Sequence, residues 1–181
     1  MVPEGPSRGN PDAPDEWQGG VLIRLEPMDD GTYQSWLEIT VREYADEKVE
    51  AGSWLAADAL ERSAADFKAL LPDGLATAGH QIRSMVNDAG ERVGYAWFVP
   101  EDRPFGRVAF IYDIAVDPEH RRKGYAQAAL GEIESWARDH DCVGVQLHVF
   151  GGNTGARQLY LRAGYVETDV TMIKRVDDAR G

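Results

Sequence analysis

The stretch that most constrains this chain is residues 107–126, RVAFIYDIAVDPEHRRKGYA. Val108, Phe110, Tyr112, Ile114 and Val116 alternate with Ala109, Ile111, Asp113 and Ala115. A run that is β-branched and aromatic on both faces suits a strand buried inside a sheet, and Asp113 is its one charge. Asp117-Pro118 ends it, because proline cannot donate to a central ladder. Arg121-Arg122-Lys123-Gly124-Tyr125-Ala126 follows and opens a helix, with Ala126, Ala129, Leu130, Ile133 and Ala137 on one stripe. Strand, basic glycine loop and helix start together make an anion site. The first helical N–H groups lack acceptors, the dipole favours negative charge, and Gly124 has no Cβ to hold a phosphate away. In a chain of net charge −12, three adjacent cations at one helix start are a local exception. A solvated basic turn is the alternative reading of the hexapeptide alone.

Arg121-x-x-Gly124-x-Ala126 resembles the pyrophosphate loop of the GNAT superfamily, the acyl-CoA-dependent N-acyltransferases. Further on, Asn153-x-x-Ala156-x-x-Leu159-Tyr160-x-x-x-Gly164-Tyr165 resembles the second motif of that family. The resemblance spans residues 20–176, and residues 44–54 and 70–80 are similar to a poorly characterised bacterial branch. It implies an α/β (α+β) GNAT fold: a mixed central sheet of about seven strands, splayed between strands 107–116 and 143–149 and flanked by four helices. It also implies acetyl-CoA as co-substrate and an amine acceptor, on a small molecule or a protein. Backbone groups of Ile114, Ala115 and Val116 would pair with the pantetheine, and one of their N–H groups would polarise the thioester carbonyl. Arg121, Arg122, Lys123, Gly124, Tyr125 and Ala126 would hold the pyrophosphate. Asn153 would bond the pantetheine, and Tyr160 would act as general acid.

Taken in order, the chain fits that plan. Residues 1–19 are rich in Pro and Gly and read as a disordered tail; 20–176 is one domain and 177–181 a C-terminal tail. Val21, Ile23 and Leu25 start a first strand. Tyr33, Trp36, Leu37, Thr40, Val41 and Tyr44 form a helical stripe, capped by Asp29 or Asp30. Leu60, Ala64, Phe67 and Leu71 form another. Residues 81–86 and 92–99 read as a hairpin around Asp88-Ala89-Gly90. Pro100 and Pro104 bracket a loop before the central strand. A strand over 143–149 leads to a helix stopped by Gly164, and two short strands near 165–167 and 170–175 close the chain.

Acetylating an amine requires the amine to be neutral and the carbonyl to meet hydrogen-bond donors; the thiolate then leaves with a proton or a hydrogen bond. Asp113, alone in its strand, is a candidate base, against a structural partner such as an arginine or a backbone N–H. His148 in the opposing strand is the other candidate, against a satisfied core histidine. His80 is placed to line the acceptor cleft, while His120 and His140 read as exposed. Glu47 and Trp54 are candidates to grip the cationic and apolar parts of an amine, against a solvated acid and a packing residue. No metal motif is present. The single cysteine, Cys142, excludes an internal disulfide and reads as filler. The acidic balance excludes general nucleic-acid binding and is compatible with a cationic amine. With no long apolar run and no secretory leader, the expectation is a cytoplasmic protein without membrane attachment. A homodimer is compatible with such folds. A non-catalytic acyl-CoA sensor would use the same binding residues. A nucleotide-binding protein built on Gly151–Gly155 lacks a recognised phosphate fingerprint.

Overall fold

The structure is a computed structural model, and it describes residues 21–174. The expected N-terminal tail and residues 177–181 lie outside them. The chain divides into two compact units between His148 and Val149.

The first unit is a five-stranded sheet in sequential order, β1 (Ile23–Pro27), β2 (Gln81–Asn87), β3 (Arg92–Arg103), β4 (Gly106–Val116) and β5 (Gly144–Leu147). Successive pairs are antiparallel except β4–β5, which is parallel and is bridged by helix α3 (Tyr125–Asp139). Helices α1 (Asp30–Glu50) and α2 (Ala59–Leu70) link β1 to β2. Asp29 caps α1, its side chain accepting from the Thr32 N–H at 2.9 Å and from the Thr32 hydroxyl at 2.6 Å.

Trp36 of α1, Phe67 of α2, and Ile82, Tyr95 and Trp97 of the sheet build one core. Trp36 meets Trp97 edge-on with ring centroids 5.6 Å apart, and Ser63 of α2 donates to the Val41 carbonyl of α1 at 2.6 Å. Adjacent residues on a strand face opposite ways. Trp97 thus serves this core, while Phe98 packs on Trp136 of α3 at 5.0 Å on the other face.

Three expectations are corrected here. First, β3 runs through Pro100 to Arg103, and Pro104-Phe105 is a two-residue hairpin turn rather than part of a loop. Pairing with β2 ends at Phe98, so the missing N–H of Pro100 lies where the strand has no second neighbour. Second, the strand expected over 143–149 is only Gly144–Leu147, and His148 falls one residue past it. Its parallel ladder stops at Ile111–Leu147, beside the irregularity where β3 pairing jumps from Ile111 to Asp113. Third, His120 is buried rather than exposed, with Nε2 3.6 Å from Glu91 and its ring near Tyr125.

In the second unit, α4 (Thr154–Arg162) is capped by Asn153, whose Oδ1 accepts from the Ala156 N–H at 3.1 Å. Gly164, at φ +90°, takes the left-handed turn that ends the helix, and the Tyr165 N–H donates to the Tyr160 carbonyl at 3.0 Å. The two closing strands do not form in the described residues, so five strands stand where about seven were expected; Arg175 lies outside them. A β-rich composition becomes a strand only with a ladder partner, and Val166, Val170, Met172 and Ile173 are all exposed.

Candidate active site

The two halves of β4 have different neighbours. From Val108 to Ile111 it is paired on both sides, with β3 and with β5. Among the described residues, Asp113 to Val116 are paired with β3 alone, and Tyr112 has no ladder partner. The Asp117 N–H donates to the Val93 carbonyl at 2.9 Å. Antiparallel ladders alternate every two residues, so Ala115 turns its N–H and C=O toward Tyr95 of β3, while Ile114 and Val116 turn theirs to the free edge. Gly94 permits this close approach, since a Cβ there would meet the Ala115 carbonyl oxygen at 2.2 Å.

The free edge runs directly into the basic loop. Arg121 Nε donates to the Val116 carbonyl at 3.0 Å and pins the loop to the strand. Arg122 (φ +65°) and Gly124 (φ +91°) both take left-handed backbone, which curls the loop around the start of α3. No side chain caps that helix, and Arg122, Lys123 and Gly124 are exposed. The first turn of α3 thus turns its N–H groups outward with cationic side chains beside them.

On its other side β4 walls a cleft of about 150 Å³. Tyr112 and Asp113 both line it, although neighbours on a regular strand face opposite ways. The reason is a β-bulge. Trp97 pairs with Asp113 and Phe98 with Ile111, leaving Tyr112 as the extra residue. Tyr112 stacks on Trp97 at 4.6 Å, and its hydroxyl donates to Glu101 at 3.1 Å. The Trp97 indole N–H donates to Nδ1 of His80 at 2.9 Å. Indole only donates, so that ring nitrogen must accept, and burial pushes the His80 pKa down in keeping with a neutral ring.

Burial pushes Asp113 up to about 6, and the negative charges of Glu47 and Glu43 act in the same direction. The Tyr95 hydroxyl and the Ile114 N–H, its hydrogen-bond partners, oppose that rise. Asp113 is therefore held by a tyrosine and by a backbone N–H, the second being one of the structural partners expected of it, and it titrates in the range useful to a base. Glu47 also lines the cleft and is pushed up by burial and by Glu43 and Glu50.

The other expected site residues are distributed as follows. Trp54 packs edge-on against Tyr44 at 5.5 Å, outside the lining, with Lys48 and Arg62 over its ring. His80 supports the cleft through Trp97 and Tyr112, its ring 6.1 Å from the latter. His148 is exposed at the end of the first unit. Asn153 and Tyr160 belong to the second unit, where the Tyr160 ring lies 5.8 Å from that of Tyr165. Cys142 is half-buried and burial pushes its thiol up, away from thiolate chemistry. Sequence reasoning missed Glu43, Asp66, Thr40 and Tyr112 as cleft residues. Glu43 and Glu47 follow Thr40 of the apolar stripe of α1 at helical spacing, a signal present in the sequence.

The family model described as Acetyltransferase (GNAT) family matches residues 33–165. The chain belongs to the GNAT acetyltransferase family. It is 40% identical over 156 residues to the uncharacterised N-acetyltransferase YycN of Bacillus subtilis, a match covering 86% of this chain and all of that protein. The crystal structure of YycN superposes with a TM-score of 0.79 at 41% identity, over 85% of this chain and 98% of that one. A mycothiol acetyltransferase of Nocardiopsis dassonvillei is 30% identical over 167 residues, covering 87% of this chain but 47% of that protein. In this GNAT enzyme the parallel pair of the described sheet is β4 and β5. The chain is thus an acyltransferase of the acetyltransferase kind. Among the described residues, no helix is long and apolar enough to cross a membrane.

Proposed function

We propose that this GNAT protein transfers the acetyl group of acetyl-CoA directly to an amine. One observation carries the reading: the free edge of β4 ends, through Arg121, at the uncapped and cationic start of α3. These residues fit the coenzyme. An extended pantetheine has the Ile114 carbonyl and the Val116 N–H at the strand edge to bond, and a pyrophosphate has outward N–H groups with Arg122 and Lys123 nearby. Acetyl-CoA would supply a thioester acetyl group open to attack by a neutral amine.

The chain's own residues do the rest. The backbone of Ile114 and Val116 aligns the pantetheine and offers an N–H to the thioester carbonyl. Asp113, placed in the cleft, takes the proton that the acceptor ammonium must lose, directly or through water. Tyr160, carried over from the family motif, is the proposed proton donor to the departing sulfur. Ala115 contributes by holding β4 to β3 rather than by meeting the coenzyme. Binding is tested by calorimetric titration of acetyl-CoA with ATP as the comparison. Acetyl-CoA binding without comparable ATP binding is expected; no acetyl-CoA binding in a folded sample would overturn the proposal.

A further inference from the structure

We infer that His120, set against Glu91, is a positioning residue for the coenzyme: the pair holds loop 121–124 in the shape that receives a pyrophosphate. The inference rests on the acetyl-CoA reading above and adds residues that act on the loop from the β3 side of β4, away from the free edge.

The loop needs support. Arg122 is left-handed at φ +65°, and a residue with a side chain keeps such a backbone only where its surroundings hold it. Arg121 Nε on the Val116 carbonyl is one hold. His120 supplies the other. Pro118, Glu119 and residues 121–124 are all exposed, yet His120 among them is 9% exposed. Its N–H donates to the Asp117 carbonyl at 2.8 Å, and its ring stands edge-on to Tyr125, the first residue of α3, at 6.2 Å. His120 therefore spans the strained turn. Its backbone belongs to the approach from β4, and its ring meets the helix start beyond Gly124.

An apolar ring would be enough for an anchor alone, but this ring faces a carboxylate. Glu91 Oε1 lies 3.6 Å from His120 Nε2, and Oε2 of the same group accepts from Asn87 Nδ2 at 3.2 Å. Asn87 is buried, and its Oδ1 accepts from the N–H groups of Ala89 and Glu91 at 3.0 and 2.9 Å. The β2–β3 turn is thus fixed around the carboxylate it presents. Arg92 ties the same turn to Asp117 at 3.2 Å, and the Asp117 N–H donates to the Val93 carbonyl. At 3.6 Å the His120–Glu91 contact is longer than a hydrogen bond, so its attraction depends on a charged imidazole. Glu91 from the turn, Tyr125 from α3, and Asp117 and Glu119 in its own segment are the titratable groups about that ring; Arg92 is engaged by Asp117 and Arg121 by Val116. An anion on the loop favours the imidazolium, so pair and pyrophosphate support each other.

The test titrates acetyl-CoA by calorimetry into the full chain, Glu91→Gln, His120→Phe and the double variant, with Tm recorded for each. Glu91→Gln keeps the shape and an oxygen for Asn87; His120→Phe keeps a ring against Tyr125. Each single variant is expected to raise Kd about three- to fivefold, the scale of a half-exposed ion pair. The double variant is expected to bind no worse than the weaker single, because both remove one interaction. The advantage of the unsubstituted protein over Glu91→Gln should shrink as pH rises from about 6 to about 9, where imidazole loses its charge. A purely structural role would lower Tm without this pH profile. The Glu91 side chain is 59% exposed, so Glu91→Gln decides the matter even where His120→Phe fails to fold. An unchanged Kd in Glu91→Gln, a loss that is constant across that pH range, or additive losses in the double variant overturns the inference and leaves the coenzyme reading intact. Absence of acetyl-CoA binding in the unsubstituted protein overturns the parent reading and this one with it.

Discussion

The two halves of β4 share one strand and one composition, yet they do different work. Val108, Ala109 and Ile111 are buried between β3, β5 and the helices. Tyr112 to Val116 are no less apolar in sequence, apart from Asp113, but Asp113 to Val116 have a ladder partner on one side only and Tyr112 has none. A single extra residue at Tyr112 separates the halves. The parallel pairing stops beside it, and it turns two consecutive side chains into the cleft. The lesson is that a site can be made within a core strand by removing one neighbour, without changing its composition.

Substitutions in the two halves should therefore fail differently. The largest effect is expected from Asp113→Asn, which keeps the shape and removes the base. Turnover at pH 8 should fall by roughly 10²–10⁴-fold, the usual contribution of a positioned base; loss below threefold would exclude Asp113. In the unsubstituted protein kcat/KM should climb with pH through about 6, and the variant should lose that limb. Stability moves the opposite way. A carboxyl whose folded pKa is raised stabilises the fold below its unfolded pKa and loses that contribution as pH rises through about 6. Asp113→Asn should thus raise Tm at pH 8 and leave it little changed below pH ~4.

In the doubly paired half, Ile111→Ala should cost about 2–5 kcal/mol of stability by denaturant unfolding. The surviving folded protein should bind acetyl-CoA normally. Weakened binding in proportion to the lost stability would erase the distinction between the halves.

Much of this was legible in the chain. The apolar run, the Asp-Pro stop, the basic loop and the α3 stripe are local patterns, and local patterns survive folding. The bulge was not legible, because it is a mismatch of register between β3 and β4 and neither strand shows it alone. The cleft was half legible. Glu47 and Asp113 stand out singly, but Asp66 joins them only when α2 packs on α1. Pro100 reads as a break in the sequence alone, whereas the far end of β3 lacks a β2 neighbour and accommodates it. The C-terminal strands misled because β-propensity cannot supply a partner.

Two smaller effects sharpen the contrast at the free edge. Tyr160→Phe should lower kcat by about tenfold or more at saturating acetyl-CoA, the low end of general-acid effects being nearer 10²-fold. An unchanged kcat would remove that hydroxyl from the reaction. Gly124→Val should weaken acetyl-CoA binding several-fold by calorimetry, because φ +91° is strained for a branched side chain. Unaltered affinity in a folded variant would count against the loop.

The most direct measurement is amide hydrogen exchange along β4, followed by NMR with and without saturating acetyl-CoA. The account predicts that Ala115 is protected in both states, and that Val116 gains protection only when the coenzyme is bound. Exchange at Val116 that is unmoved by saturating acetyl-CoA would contradict it.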